Sequence, residues 1–439
     1  MRAITACLAL LLLALPAAAA DQPFDAAGVV AQVQAGQRLA DDVRAGLLSA
    51  QEARMVRFDA LFAPDQLDPA HAGLAQPREL CATDLLADLR AHWAEASPAD
   101  RHHIEVLSSP IYRAWLADGG ISWLEGDVDA MRAAERSTCF SPETVNDDFG
   151  PYSDALVSDH FDLRFNPTSA ITPTRAQQLL DWFEQSWQFQ VVDRGFYQPW
   201  NLSQNEMLVV VEELNSPGIG AYATTAQCFG SPVGYMTYIV VNAWSFQDLQ
   251  WLQSVAPHEF FHGVQIVYGA QEFWTGQSDN RWLIEASATY MQRVVFPGIF
   301  GVEAQQAMRW SLEPYRSLET ADDSGLQYGL VVFLLSLEET TGTNAWHQAL
   351  WDLLYDRSGY DLREELDAVL AEYDTDFLTE WRRFILRGAV GPLLDNPYLI
   401  TPLEIAGRFG DQVDDPIYGR FDGRDYPLDE SVDSGSGHH

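Results

Sequence analysis

The stretch Ser254-Val255-Ala256-Pro257-His258-Glu259-Phe260-Phe261-His262-Gly263 decides how the chain is read. On an α-helix, residues four apart sit about 40° apart around the axis, so His258 and His262 share one face. Two imidazoles so placed can hold one metal ion from the same side. Glu259 is rotated by about 100° from His258 and can reach a water on that ion without ligating it. The pattern H-E-x-x-H therefore marks a candidate zinc-hydrolase site. The same five-residue pattern also arises by chance, so the flanking sequence has to decide.

Upstream, Met236-Thr237-Tyr238-Ile239-Val240-Val241 reads as a strand. Downstream, Trp282-Leu283-Ile284-Glu285-Ala286-Ser287-Ala288-Thr289-Tyr290 reads as a helix with a lone carboxylate on a mostly apolar, small-residue face. A glutamate there has little use as a core residue. As a third ligand it completes a His258, His262, Glu285 set with one coordination position open. Thr289, four residues past Glu285, shares its face and is expected to support it from outside the ligand set.

H-E-x-x-H followed by Trp282-Leu283-x-Glu285-x-x-Ala288-x-Tyr290 resembles the gluzincin group of zinc metallopeptidases, the thermolysin-like and aminopeptidase-like enzymes. The wordings HEFFHGVQ and IEASATYM are similar to a family of secreted metalloproteases from myxobacteria and related bacteria. The resemblance implies an α+β fold. Its zincin-like catalytic unit has a mixed sheet, an active-site helix and a helical C-terminal subdomain, here preceded by a mostly helical N-terminal region. It implies one Zn²⁺ per chain, a peptide or protein substrate, and Glu259 as general base toward the attacking water and acid toward the leaving nitrogen. Tyr328, or Tyr290 as the alternative, is expected to stabilise the carbonyl oxygen. Gly220 to Thr225, with Ala221, Tyr222 and Ala223, is the expected edge strand that binds extended substrate by adding it to the sheet. The glycine usual after the ligand glutamate is Ala286 here. No G-A-M-E-N-like element is present, which favours an endopeptidase over an aminopeptidase.

Composition bounds the setting. Arg2, the apolar run from Ala6 to Leu15, Pro16 and the alanines up to Ala20 read as a secretory signal over residues 1–20, so the expected location is secreted or periplasmic. The apolar run is short for a membrane span, and no later stretch is long enough, so no stable membrane insertion is expected. Cys81, Cys139 and Cys228 remain after the signal. Export permits disulfides, and Cys81 with Cys139 is the expected pair, because both precede the catalytic unit. The formal net charge is −37 and the chain has no lysine. Such a surface repels nucleic acid and anionic lipid. Ca²⁺ could bind an acidic surface, but no D-x-[DN]-x-[DN]-G loop appears. At 439 residues and 47% hydrophobic content, the chain can bury a full core.

Taken in order, residues 21–150 read as helical, either an inhibitory propeptide or a permanent domain. Phe24 to Phe62 has apolar residues at helical spacing, and Thr83 is a plausible N-cap before Asp84. His102 and His103 are adjacent, point apart on a helix and read as solvated. Asn146 to Ser153 is the turn-rich boundary. The zinc-binding subdomain follows over residues 151–300. In it, His160 to Phe165 alternates as a strand, Thr172-Pro173 opens a helix through Trp187, and Met207 to Val211 is a buried strand. Pro257 suggests that the active helix begins at Ser254 as N-cap, with Phe246 to Gln253 a separate piece. Phe261 and Val264 face the core, and Gly263 permits a close approach. Residues 301–395 form the helical C-terminal subdomain, with helices from Tyr328, over Trp346 to Leu354, and over Phe377 to Leu386. Residues 396–439 are an acidic tail. Two other readings stay open: a zincin-like binding protein without turnover, and a zinc hydrolase of a non-peptide substrate.

Overall fold

Six strands are described, and β-branched and aromatic residues fill most of the one at Tyr235–Asn242 and half of the one at Met207–Glu212. The six form one mixed sheet in the order β1-β5-β6-β4-β3-β2. The computed structural model describes residues 26–75, 79–108, 152–199, 206–214, 219–227, 235–268, 281–297, 326–355 and 362–390. The signal-like leader, Cys139, Cys228, the stretch between the two ligand helices at 269–280 and the acidic tail lie outside them. The strands are β1 (Glu79–Cys81), β2 (Asp154–Val157), β3 (Phe161–Phe165), β4 (Met207–Glu212), β5 (Ile219–Gln227) and β6 (Tyr235–Asn242). β3, β4 and β6 run parallel, with Leu163 opposite Val209 and Val209 opposite Ile239. Strands buried on both faces read as continuous apolar runs, and Met207-Leu208-Val209-Val210-Val211 is buried throughout. β5 returns antiparallel to β6, and β1 adds to it in parallel through Glu79 opposite Ile219 and Cys81 opposite Ala221.

α1 (Ala26–Arg44) and α2 (Ala50–Phe62) precede β1, and α3 (Thr83–Ala91) and α4 (Pro98–Ser108) lie between β1 and β2. Ser49 and Glu52 form a reciprocal capping box at the start of α2. Thr83 does not cap as expected. Its hydroxyl turns to β5 instead, accepting from the Ala223 N–H at 2.9 Å and lying 3.1 Å from the Ala223 carbonyl. His102 is exposed, whereas His103 reaches Asp59 at 2.8 Å. Of the N-terminal helices, α2, α3 and α4 pack with the rest, while Ala35 and Leu39 of α1 form a second, smaller cluster with Ala53 and Ala60 of α2 and with Leu74. Phe58, Leu61, Phe62, Leu85 and Ile104 belong to the same buried cluster as the sheet and the later helices.

Helix α5 (Pro173–Trp187) starts as expected, with Pro173 in its first turn and Thr172 accepting from the Arg175 N–H. Helix α6 (Leu249–Val267) carries the motif and corrects the expected start. Asp248, not Ser254, is the N-cap, accepting from the N–H groups of Gln250 and Trp251. Ser254 lies inside the helix and donates to the Trp251 carbonyl at 2.7 Å. Pro257 is an internal proline, and its carbonyl accepts from Gln190 at 2.9 Å. Packing holds this helix through the proline, because α6 lies between α5 and α7 (Arg281–Val295) and against β5 and β6. Phe261 and Val264 are fully buried. A Cβ at Gly263 would lie 3.1 Å from the end of Met207 and 3.4 Å from Pro199, so the glycine does permit a close approach.

The C-terminal part is α8 (Leu326–Gly329), α9 (Val331–Thr341), α10 (Ala345–Tyr355), α11 (Leu362–Leu370) and α12 (Phe377–Val390). Gly342 ends α9 in the left-handed conformation that favours glycine. The architecture is α+β with a mixed sheet. Among the described residues, no helix is long and apolar enough to cross a membrane.

Candidate metal centre

Helices α6 and α7 pack side by side and bring His258, His262 and Glu285 together, all fully buried. The Glu285 Oε2 lies 3.2 Å from His258 Nε2 and 3.5 Å from His262 Nε2. A fourth donor comes from β1, where the thiol of Cys81 lies 3.3 Å from His262 Nε2. One donor atom from each of the four residues lies within 4.8 Å of the others. Zinc bonds of about 2.0–2.3 Å in tetrahedral array place the donors about 3.3–3.8 Å apart. The 3.5 Å and 3.3 Å spacings around His262 fall in that range and the 3.2 Å spacing of His258 and Glu285 is just short of it, and the donor types are those zinc takes. The second carboxylate oxygen of Glu285, Oε1, is buried without a hydrogen-bond partner. Such an orphan is costly unless a cation or another partner is due there. The residues present therefore fit a zinc ion.

Two glutamines brace the imidazoles. The Nδ1–H of His262 donates to Gln265 Oε1 at 2.7 Å, and Gln265 is itself fixed by donating to the Ile284 carbonyl. That tautomer leaves the Nε2 lone pair facing the cluster. The Gln292 amide lies 3.0 Å from His258 Nδ1. Turned with its oxygen to that nitrogen, it would set His258 in the same tautomer, and its Oε1 has no other partner. Gln292, seven residues past Glu285, takes the supporting place expected for Thr289. The hydroxyl of Thr289 is buried without a hydrogen-bond partner. Helical spacing from His262 and Glu285 could have pointed to both glutamines; nothing in the sequence pointed to Cys81.

The electrostatics are those of a crowded, dry site. Burial lowers the pKa of His258 to about 4, despite its hydrogen bond to Glu285. Burial opposes charge on His262 too, but Glu285 and Glu259 outweigh it and lift that pKa to about 9. Burial would raise Glu285, yet the His262 charge and the two histidine hydrogen bonds hold it down at about 2. Glu259 is raised to about 8, chiefly by burial. Burial, then the carboxylates of Glu259 and Glu285, push the Cys81 thiol well above its usual range. In the metal-free protein His262 and Glu285 thus form an ion pair, while Glu259 and Cys81 keep their protons.

The other expected site residues fall around this centre. Oε2 of Glu259 lies 3.5 Å from the Cys81 sulfur and 3.5 Å from the Thr83 hydroxyl. The ring of Tyr328 faces that of His258 at 6.2 Å, and its hydroxyl donates to the Cys81 carbonyl at 2.8 Å. Tyr290 points elsewhere, donating to Glu338 at 2.8 Å. Ala221, Tyr222 and Ala223 lie on β5 beside the centre, but β1 and the Thr83 side chain occupy the β5 edge. The expected pairing of Cys81 with Cys139 falls in part outside the described residues. Cys81 is free and buried, with its sulfur among the donors, while Cys139 lies outside the described residues. No family model and no curated protein matches this sequence.

Proposed function

We propose that this protein is an exported zinc-dependent metallopeptidase of gluzincin type, with a zincin-like catalytic unit. His258, His262 and Glu285 would hold the metal. The observation that carries the proposal is the set of two imidazole nitrogens and one carboxylate oxygen, fully buried and spaced as zinc ligands, beside a second buried carboxylate. A bound zinc ion supplies Lewis acidity, which makes water a nucleophile near neutral pH and draws charge from a carbonyl oxygen.

The chain's own residues do the rest. Glu259 sits one residue past a ligand and makes no ion pair with either histidine that would commit it as a ligand. Burial holds its carboxyl protonated up to about 8 in the metal-free protein. The charge of a bound zinc ion would lower that, and the carboxylate could then take a proton from water and return it to the leaving nitrogen. Tyr328 places a hydroxyl where it already donates to one backbone carbonyl beside the centre. The same hydroxyl can serve the carbonyl oxygen of a bound peptide. β5 would offer its backbone edge to an extended chain once β1 and the Thr83 side chain, which now occupy it, were displaced.

The test is Glu259→Gln in the full chain. Zinc content should be unchanged, while casein hydrolysis falls by about 100- to 10,000-fold. Full activity in that variant would end the general-base assignment. One observation favours a second reading. Cys81 closes the donor set to four, as in a structural zinc site, which would make the protein a zinc-stabilised binder without turnover. That reading requires zinc to bind tightly while no peptide substrate is cleaved, with or without Cys81.

A further inference from the structure

We infer that the described conformation is the latent form of the site, in which strand β1 lies where an extended peptide would lie and Cys81 supplies the fourth metal ligand. The inference rests on the metallopeptidase reading above and adds how that site is held in check.

Three requirements of a peptide substrate are met here by the chain itself. The first is the open coordination position. The Cys81 sulfur lies 3.3 Å from His262 Nε2, on the side of the cluster shared with Glu259. The second is the sheet edge. β5 would be the outermost strand on its side, but Glu79 and Cys81 pair with it, and the Thr83 side chain takes both the N–H and the carbonyl of Ala223. The third is the donor for a carbonyl oxygen. The Tyr328 hydroxyl is taken by the backbone carbonyl of Cys81. One short segment, Glu79 to Thr83, therefore occupies the metal position, the backbone edge and the hydroxyl together.

A cysteine serving only as core filling sits among apolar side chains. Cys81 instead meets an imidazole and the carboxylate of Glu259, in a cluster where Glu285 Oε1 is fully buried and unpartnered. That orphaned oxygen is an independent sign that a cation belongs at the centre. On ligation the thiol proton passes to solvent, a sulfur lone pair forms the bond to zinc, and a solvent molecule leaves. Departure of β1 reverses each change, and no oxidant or reductant takes part. A substrate peptide must then compete with Glu79 to Thr83 for the same places.

The test uses the zinc-loaded full chain and X-ray absorption at the zinc edge, alongside casein hydrolysis. The parent should show one sulfur at about 2.3 Å. Cys81→Ala and Cys81→Ser should lose that sulfur, keep their zinc and raise kcat/KM by about tenfold or more, as expected when a closed state dominates the parent. The sulfur signal is read in the parent, so a misfolded variant cannot hide the answer. A zinc shell without sulfur in the parent overturns the inference. So do folded, zinc-bound variants that are no faster than an active parent; Glu259-dependent turnover would then leave the peptidase reading standing. If neither the parent nor the variants cleave any peptide, the peptidase reading falls with it.

Discussion

His262 and Glu285 decide how the centre responds to pH. His262 is held protonated up to about 9 in the metal-free protein, because Glu285 and Glu259 overcome the effect of burial. A metal can bind Nε2 only after that proton leaves. In Cys81→Ala, where only the His262 proton must leave, zinc affinity should therefore rise with pH by about tenfold per unit from about 6 to 8 and level off above the His262 pKa; in the parent the Cys81 thiol proton leaves as well, and the rise should be steeper. The ion pair itself stabilises the metal-free fold below the ordinary histidine range and is lost as pH climbs through about 9. Zinc titrations at several pH values check this, and a pH-independent affinity would contradict it. Gln265 and Gln292 orient the two rings, so Gln265→Leu or Gln292→Leu should each weaken zinc binding by about 10- to 100-fold with the fold intact. At this scale the sequence disclosed His258, Glu259, His262 and Glu285, since helical geometry alone sets the two histidines on one face with Glu259 beside them. It named Thr289 and passed over Gln292; four residues and seven residues past Glu285 both return to one helix face, and only packing chooses between them. Cys81 was out of reach, since its place depends on a strand pairing across the chain.

Helix α6 is the element on which the centre is built, and its N-terminus is set by Asp248. Removing that cap with Asp248→Ala should cost about 1 kcal/mol of stability, read by denaturant unfolding, while zinc stoichiometry is kept. An unchanged stability would mean that packing against α5 and α7 alone fixes the start. The sequence placed this helix but began it too late. Proline is ordinarily a helix breaker in the interior, at about 3 kcal/mol. Here Pro257 is fully enclosed by neighbouring elements, and Gln190 bonds its carbonyl. The strands were easier to read, because Met207 to Val211 and Met236 to Val241 are unbroken apolar or β-branched runs. β1 was not, because three residues followed at once by a helix carry no periodicity.

At the scale of the whole molecule, one buried cluster runs from Phe58 in α2 through the sheet to Phe384 in α12. Helices α2, α3 and α4 therefore share a core with the part that carries the centre, while α1 packs in a second cluster against α2; the sequence pattern, which shows a helical region ending in a turn-rich joint, could not reveal that continuity. The most direct measurement is zinc stoichiometry and affinity of the purified full chain compared with Glu285→Ala. The account predicts about one zinc per chain in the parent and a loss of affinity of at least about 100-fold in the variant, from two separate helices closing on one ion. A parent that takes up no zinc, or a variant that binds it as tightly as the parent, would contradict it.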